Sequence, residues 1–150
     1  MKISWRVFTL IAYVPIVFFV SSYSFYVFAP MSRWVEYDRV EPIKNVFEVG
    51  EKIRFNSFRN VHHRSDLLFT DRLLCENNKG EYEPQELFST GKNDVLPTKG
   101  IDVVNWPYGD PVYFETKCFC EHTVTLLLPF GIRKSQSLVG PVFEVKYKEG

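Results

Sequence analysis

The sequence predicts an all-β protein, an antiparallel β-sandwich, held behind one N-terminal transmembrane helix. Three observations carry this. An uncharged run of 26 residues lies near the N-terminus. The rest of the chain offers short stretches of aromatic and β-branched residues separated by Gly, Pro and Asn, and it has no convincing amphipathic helix. The chain after the run is 116 residues from Val35 to Gly150, long enough for one core and too short for two domains.

The uncharged run is "VFTLIAYVPIVFFVSSYSFYVFAPMS", residues 7–32. At ~1.5 Å per residue, its first 22 residues suffice to cross a hydrocarbon layer of ~30 Å. Arg6 and Arg33 bracket it, and Trp5 and Trp34 stand beside them, where snorkelling cations and aromatic belts belong. Pro15 is compatible with a membrane helix, because neighbouring groups re-satisfy the freed carbonyl. The competing reading is a cleaved signal, with Lys2 and Arg6 as its basic start and cleavage after Ser22 or Ser24. The apolar character continues through "FYVFA", which a cleaved signal does not require, so an uncleaved signal anchor is expected over 7–29. Residues 1–6 form the preceding tail. A short tail before a first apolar segment implies N-in, C-out topology, with the following domain periplasmic or extracellular.

Residues 30–45, with "RWVEYDRVEPIKN", mix charge with Pro42 and show no clean period, and read as a juxtamembrane stalk. From Val46 to the C-terminus the pattern is that of strands. "VFEVGEKIRFNSF" turns at Gly50 and then alternates Ile53, Phe55 and Ser57 against Lys52, Arg54 and Asn56. "DLLFTDRLLCEN" (66–77) fits strand or short helix; Leu67, Phe69, Leu73 and Cys75 keep period two, and Asp71 breaks it. Residues 80–111 are rich in Gly and Pro and read as loop, with short strands at "ELFS" and "GIDVV". "PVYFETKCFCEHTVTLLLPF" and "PVFEVKY" are the clearest strands, with "GIRKSQSLVG" between them.

Charge excludes one class of partner. Removing Lys2 and Arg6 from the 18 basic residues leaves 16 against 18 acidic ones, a net of −2. This gives no electrostatic reason to expect nucleic acid. No glycine-rich phosphate loop, repeat or heptad occurs, and no G-x-S-x-G elbow supports a hydrolase. No N-x-S/T sequon occurs either.

The opening "VFEVGEKIRF" and the closing "GPVFEVKY" resemble the first and last strands of immunoglobulin-like domains in single-pass bacterial or phage envelope proteins. The resemblance covers about 100 residues, the size of such a domain, and does not include the Cys…Trp…Cys spacing of antibody domains. It implies a membrane-anchored, non-enzymatic interaction or structural module that needs no cofactor. Its partners would be the bilayer, through residues 7–29, and another envelope or phage protein.

The segment "CFCEH" sets a second function class against this one. On a strand, Cys118, Cys120 and His122 share one face, and Phe119 and Glu121 the other. If Phe119 faces the core, the first face is outward and offers three soft or borderline ligands for zinc or copper, a metal-binding or redox module. The three are spread over ~13 Å, so one ion would need a bent strand and a fourth ligand. In an oxidising compartment, Cys75 is instead expected to bridge to Cys118 or Cys120, leaving one thiol over. Cys118 and Cys120 are not expected to pair with each other, because their side chains run parallel. "RNVHHRSD" gathers Arg59, His62, His63 and Arg64 as candidates for an acidic partner or lipid headgroups, or as a solvated loop. Trp106 and Tyr108, in "NWPYGD", are candidate interface anchors or core plugs.

Overall fold

A computed structural model describes residues 5–148, with side chains except those of 5–8 and 86–90; the tail residues 1–4 and the last two lie outside it. Helix α1 (Trp5–Phe28) includes a 20-residue stretch, Thr9–Phe28, that is long and apolar enough to cross a membrane, and none of it is buried within the protein. Its C-terminal end is tied to the domain that follows. Lys134 Nζ donates to the carbonyls of Val27 (2.9 Å) and Ala29, which have no helical partner of their own.

Among the described residues nine strands follow: β1 (Val35–Pro42), β2 (Val46–Glu48), β3 (Arg54–Val61), β4 (Ser65–Glu76), β5 (Tyr82–Val95), β6 (Asp102–Pro107), β7 (Thr116–Leu127), β8 (Arg133–Val139) and β9 (Phe143–Lys146). They form two sheets, β1-β3-β6 and β2-β9-β7-β4-β5, with β8 also on β7. All pairings are antiparallel except β2 with β9, where Val46–Glu48 runs beside Glu144–Lys146. The two "VFEV" segments thus lie side by side. Strands β8 and β9 use the same edge of β7 in succession, and the chain kinks between them at Gly140. A Cβ there would meet the Val40 carbonyl oxygen at 3.2 Å, so the close approach of β1 favours glycine.

Three expectations are corrected. The stalk is not a stalk: residues 35–42 form β1, with Val35, Tyr37 and Val40 buried. A β-bulge between Tyr37 and Arg39 shifts the register and erases the period that would reveal it. The stretch 80–111 is not mostly loop, because β5 alone takes 14 residues. It is an edge strand, where Pro84 is tolerated, and Gly91 lies beneath the ring of its cross-strand partner Phe69. The segment "GIRKSQSLVG" is itself a strand, β8, hidden in the sequence by its polar outward face.

Inward-facing residues from both sheets make two apolar clusters. Phe47, Ile53, Phe55, Leu73, Tyr108 and Phe143 anchor the one far from the helix. Trp34, Val35, Val61, Leu67, Val124 and Leu126 anchor the one near it, against which Tyr26 and Ala29 pack. Between them runs a polar layer.

Candidate functional site

The inner face of β7 carries Cys118, Cys120, His122, Val124 and Leu126, all buried. The conditional outward placement of the Cys–Cys–His face is therefore reversed. Phe119 points away from the core and lies 5.0 Å from Tyr82, ring to ring. Each of the three residues meets a direct partner on β4: Cys118 faces Cys75, Cys120 faces Leu73 and His122 faces Asp71.

Cys75 and Cys118 are joined by a disulfide across adjacent strands, at a Cα separation of 4.1 Å. This takes Cys118 out of any ligand set. Among the described residues no three His, Cys, Asp or Glu side chains are grouped to hold a metal ion. The metal reading of Cys118, Cys120 and His122 falls for that reason. Cys120 is the free thiol, and burial pushes its pKa far above the ordinary range, with Asp71 and Glu121 adding to the rise.

The Asp71 carboxylate accepts a short hydrogen bond from His122 Nδ1, with both side chains buried. Asp71 is thus not an irregularity in the β4 pattern. It faces inward like Leu67 and Leu73, because His122 stands opposite. Asp71 Oδ2, His122 Nε2 and Trp106 Nε1 are buried without a partner. The His122 ring lies 5.0 Å from Trp106 and 5.6 Å from Tyr37. A cavity of about 100 Å³ adjoins them, lined also by Ser57, Arg59, Phe69 and Asn93. It sits between the sheets on the side where their edge strands β5 and β6 run. It is roomy enough for water beside these polar atoms, although most of its wall is apolar. The histidine and carboxylate of a nucleophile-activating relay are present, but Ser57 Oγ makes no hydrogen bond to His122.

The other singled-out residues separate. Arg59 belongs to this layer: Nε and Nη2 donate to Asp102 at 3.1 Å, and Nη1 donates to Tyr37 Oη at 3.4 Å. Burial holds the Tyr37 phenol above its ordinary pKa, against the lowering pull of Arg59. Tyr108 is a core plug, corrected from interface anchor, since its hydroxyl accepts a hydrogen bond from Leu73 N at 3.1 Å in the far cluster. Trp106 is half-buried in the polar layer. His62, His63 and Arg64 form the β3–β4 turn at the helix-facing end, where both histidine amides donate to Trp34 O. There Arg64 pairs with Asp94, with Nε at 3.0 and 3.1 Å from the two oxygens. Arg59 does not join that group.

The end of the sandwich away from the helix carries residues that the sequence reading passed over. Tyr113 (69 % exposed), Phe114 (45 %) and Tyr147 (62 %) lie there, on the β6–β7 loop and just after β9. Tyr147 N donates to Glu115 Oε1 at 2.9 Å, which holds these two segments together. Phe114 lines one shallow groove of about 420 Å³; a second of about 360 Å³, walled also by Lys117 and Lys146, shares Glu76, Asn77, Asn78 and Glu115 with it. The available signal was the "VYFE" run directly after a Gly-Asp-Pro turn, which reads equally well as the start of a strand.

No family model matches the chain, and no curated protein matches its sequence. Among solved structures it is similar to the ASH / PapD-like domain of human CEP192 (PapD-like domain 7). The TM-score is 0.52 at 13 % identity, over 81 % of this chain and 90 % of that one. The fold is an immunoglobulin-like β-sandwich. The chain also matches Pseudomonas fluorescens alkylpurine DNA glycosylase AlkC bound to DNA containing an abasic site analog. That match has TM-score 0.41 at 11 % identity, over 71 % of this chain and 30 % of that one. A third match is Spo0M, a sporulation control protein from Bacillus subtilis, with TM-score 0.33 at 15 % identity, over 77 % of this chain and 50 % of that one. At 13 % identity the likeness to the PapD-like domain is one of fold.

Proposed function

We propose that the chain is a single-pass membrane protein that presents its sandwich outside the cytoplasmic membrane. There the end away from the helix binds another envelope or phage-encoded protein, and no catalysis is involved. The observation that carries this reading is the exposure of Tyr113, Phe114 and Tyr147 at the end of the sandwich that also holds two grooves of mixed charge, one lined by Phe114. Exposed aromatic anchors next to polar, charged rims are the composition of a binding surface. The Cys75–Cys118 bridge supports the oxidising side of the membrane. Strand β7 sets the distance: its 12 residues place these aromatics roughly 36 Å from the turn that touches the helix.

The test uses the full chain in the cells that express it. A photo-crosslinking residue is placed at Tyr113, Phe114 or Tyr147, and in parallel at Thr123 or Ser135 on the outer face of β7 and β8. Adducts to one protein species are expected from the first three positions only. Equal adducts from both sets, or none from the first set, would overturn the reading. Protease access to the sandwich in intact spheroplasts checks the orientation separately.

A further inference from the structure

The turn between β7 and β8 has a feature that sandwich packing does not explain. Residues Pro129–Gly131 make one tight turn, and Phe130 at its tip has φ 63, the only non-glycine positive φ among the described residues. The left-handed region disfavours a bulky side chain, so the conformation must be held by what Phe130 touches. It touches α1. Its ring centroid lies 5.2 Å from that of Phe19, 6.1 Å from Tyr23 and 6.0 Å from Tyr26.

The level of that contact along the helix is informative. Phe19 precedes Phe28 by nine residues, roughly 13 Å of helix. The apolar stretch Thr9–Phe28 is about as long as the hydrocarbon layer is thick, ~30 Å. A ring seated on Phe19 and Tyr23 therefore lies below the headgroups, at acyl-chain depth. The surroundings follow the same gradient. Pro129 and Gly131 are exposed and carry no charge. Leu128 N donates to Ile132 O (2.9 Å) and Ile132 N to Pro129 O (3.4 Å), so the turn closes on part of its own backbone. Cations begin just above it: Arg133 is exposed, Lys134 caps the helix, and the Arg33 guanidinium lies 4.9 Å from the Phe25 ring centroid.

We propose that the Pro129–Phe130–Gly131 turn is a second membrane element. It enters the leaflet that holds the C-terminal half of α1, with Phe130 among the acyl chains and Arg33 and Arg133 at the headgroups. This rests on the reading of α1 as a membrane span. The occupant of the surface is lipid, because the turn is continuous with the helix face that lipid would cover.

The experiment uses the full chain in phosphatidylcholine nanodiscs with Cys120→Ala, so that an introduced cysteine is the one free thiol. A nitroxide is attached at Phe130→Cys, or at Pro129→Cys, which keeps Phe130 in place. Reference labels are placed at Val14, mid-helix, at Phe25 near the helix end, and at Val139, exposed on β8. Power saturation reads collision with oxygen against a water-soluble nickel reagent. The label at 130 or at 129 is expected to match one at Phe25, oxygen-accessible and shielded from nickel, and Val139 to be nickel-accessible. If Val14 is shielded while 129 and 130 are both as nickel-accessible as Val139, this proposal fails and the span stands. If Val14 itself is nickel-accessible, the span fails and the proposal with it.

Discussion

Removing one half of the buried Asp71–His122 pair is expected to cost far more than removing both. Asp71 is fully buried and His122 nearly so, between two apolar clusters. Asp71→Leu alone leaves both imidazole nitrogens unpartnered, since Nε2 has no partner to begin with. His122→Phe alone leaves a fully buried carboxylate without the partner that Nδ1 provides. Breaking a buried pair in this way costs about 3–5 kcal/mol, whereas replacing both members with apolar groups of similar volume is often neutral or stabilising. Each single variant should therefore lose about 3 kcal/mol or more, and the double variant should lie within about 1 kcal/mol of the parent. For a domain of this size, 3 kcal/mol lowers Tm by about 10 °C or more. The assay is urea unfolding of the full chain in detergent, followed by tryptophan fluorescence in a Trp5→Phe, Trp34→Phe background, so that the signal is that of Trp106, whose ring is 5.0 Å from His122. Additive losses, or single losses below about 1 kcal/mol, would refute the argument and mean that water already satisfies the layer. A stable double variant that still crosslinks through Tyr113 would give the pair a structural role.

Removing the bridge with Cys75→Ala and Cys118→Ala should cost about 4 kcal/mol, because the loop it closes has a sequence separation of 43; denaturant midpoints measure this, and a loss under about 1 kcal/mol would contradict it. Cys120 should resist alkylation in the folded chain, since burial raises its pKa and withholds the thiolate, and should label only as the sandwich unfolds; rapid native labelling would count against its placement. Burial also raises the pKa of Tyr37 and Tyr108 above 10.0, so their neutral phenols favour the folded state below that pH and the stability is lost as pH rises through the folded values. Alkaline unfolding monitored by tyrosinate absorbance should therefore begin above pH 10, and Tyr37→Phe should shift it upward; tyrosinate forming in the folded chain at the ordinary pH would refute this.

The legibility of this fold in the sequence depended on whether each strand's partners leave a local trace. Strand β3 alternates Phe55 and Ser57 against Arg54 and Asn56, because one face meets the core and the other water. Strand β1 is as well buried, yet one bulge after Tyr37 moves Val40 to the phase that alternation assigns to solvent. Strand β5 was obscured by Pro84 and Gly91, which mark turns in most contexts and are acceptable here only because the strand is an edge and Phe69 covers the glycine. The candidate site follows the same logic. Cys75 with Cys118 was one of two pairings that the strands allow, and only register separates them, since Cys120 falls opposite Leu73. Asp71 read as a break in an apolar stripe and His122 as a metal ligand; their meaning is mutual and needs the pairing of β4 with β7. The β7–β8 turn and the distal aromatics depend on where two remote segments end, which no local period records.

The loss of the stalk has a physical consequence for the proposed binding. With residues 35–42 absorbed into β1, only residues 29–34 separate the helix from the sandwich, and these are ordered. Ala29 N donates to Phe25 O, Arg33 N to Pro30 O and Trp34 N to Met31 O, while Trp34 stacks on Tyr26 and meets Phe25 edge-on. Lys134 adds a tie from β8, and Phe130 another from the preceding turn. A domain swinging on a flexible stalk would lose orientational freedom on meeting a partner. Here that loss is taken at folding, and the joint presents Tyr113, Phe114 and Tyr147 in one fixed direction relative to the helix. Loosening the joint should therefore weaken partner binding without touching the binding end. Trp34→Ala with Lys134→Ala should lower crosslinking yield at Tyr113 while leaving the Cys75–Cys118 bridge formed. Unchanged yield in a folded variant would mean that orientation contributes nothing, and that the aromatic end binds as a freely tethered module would.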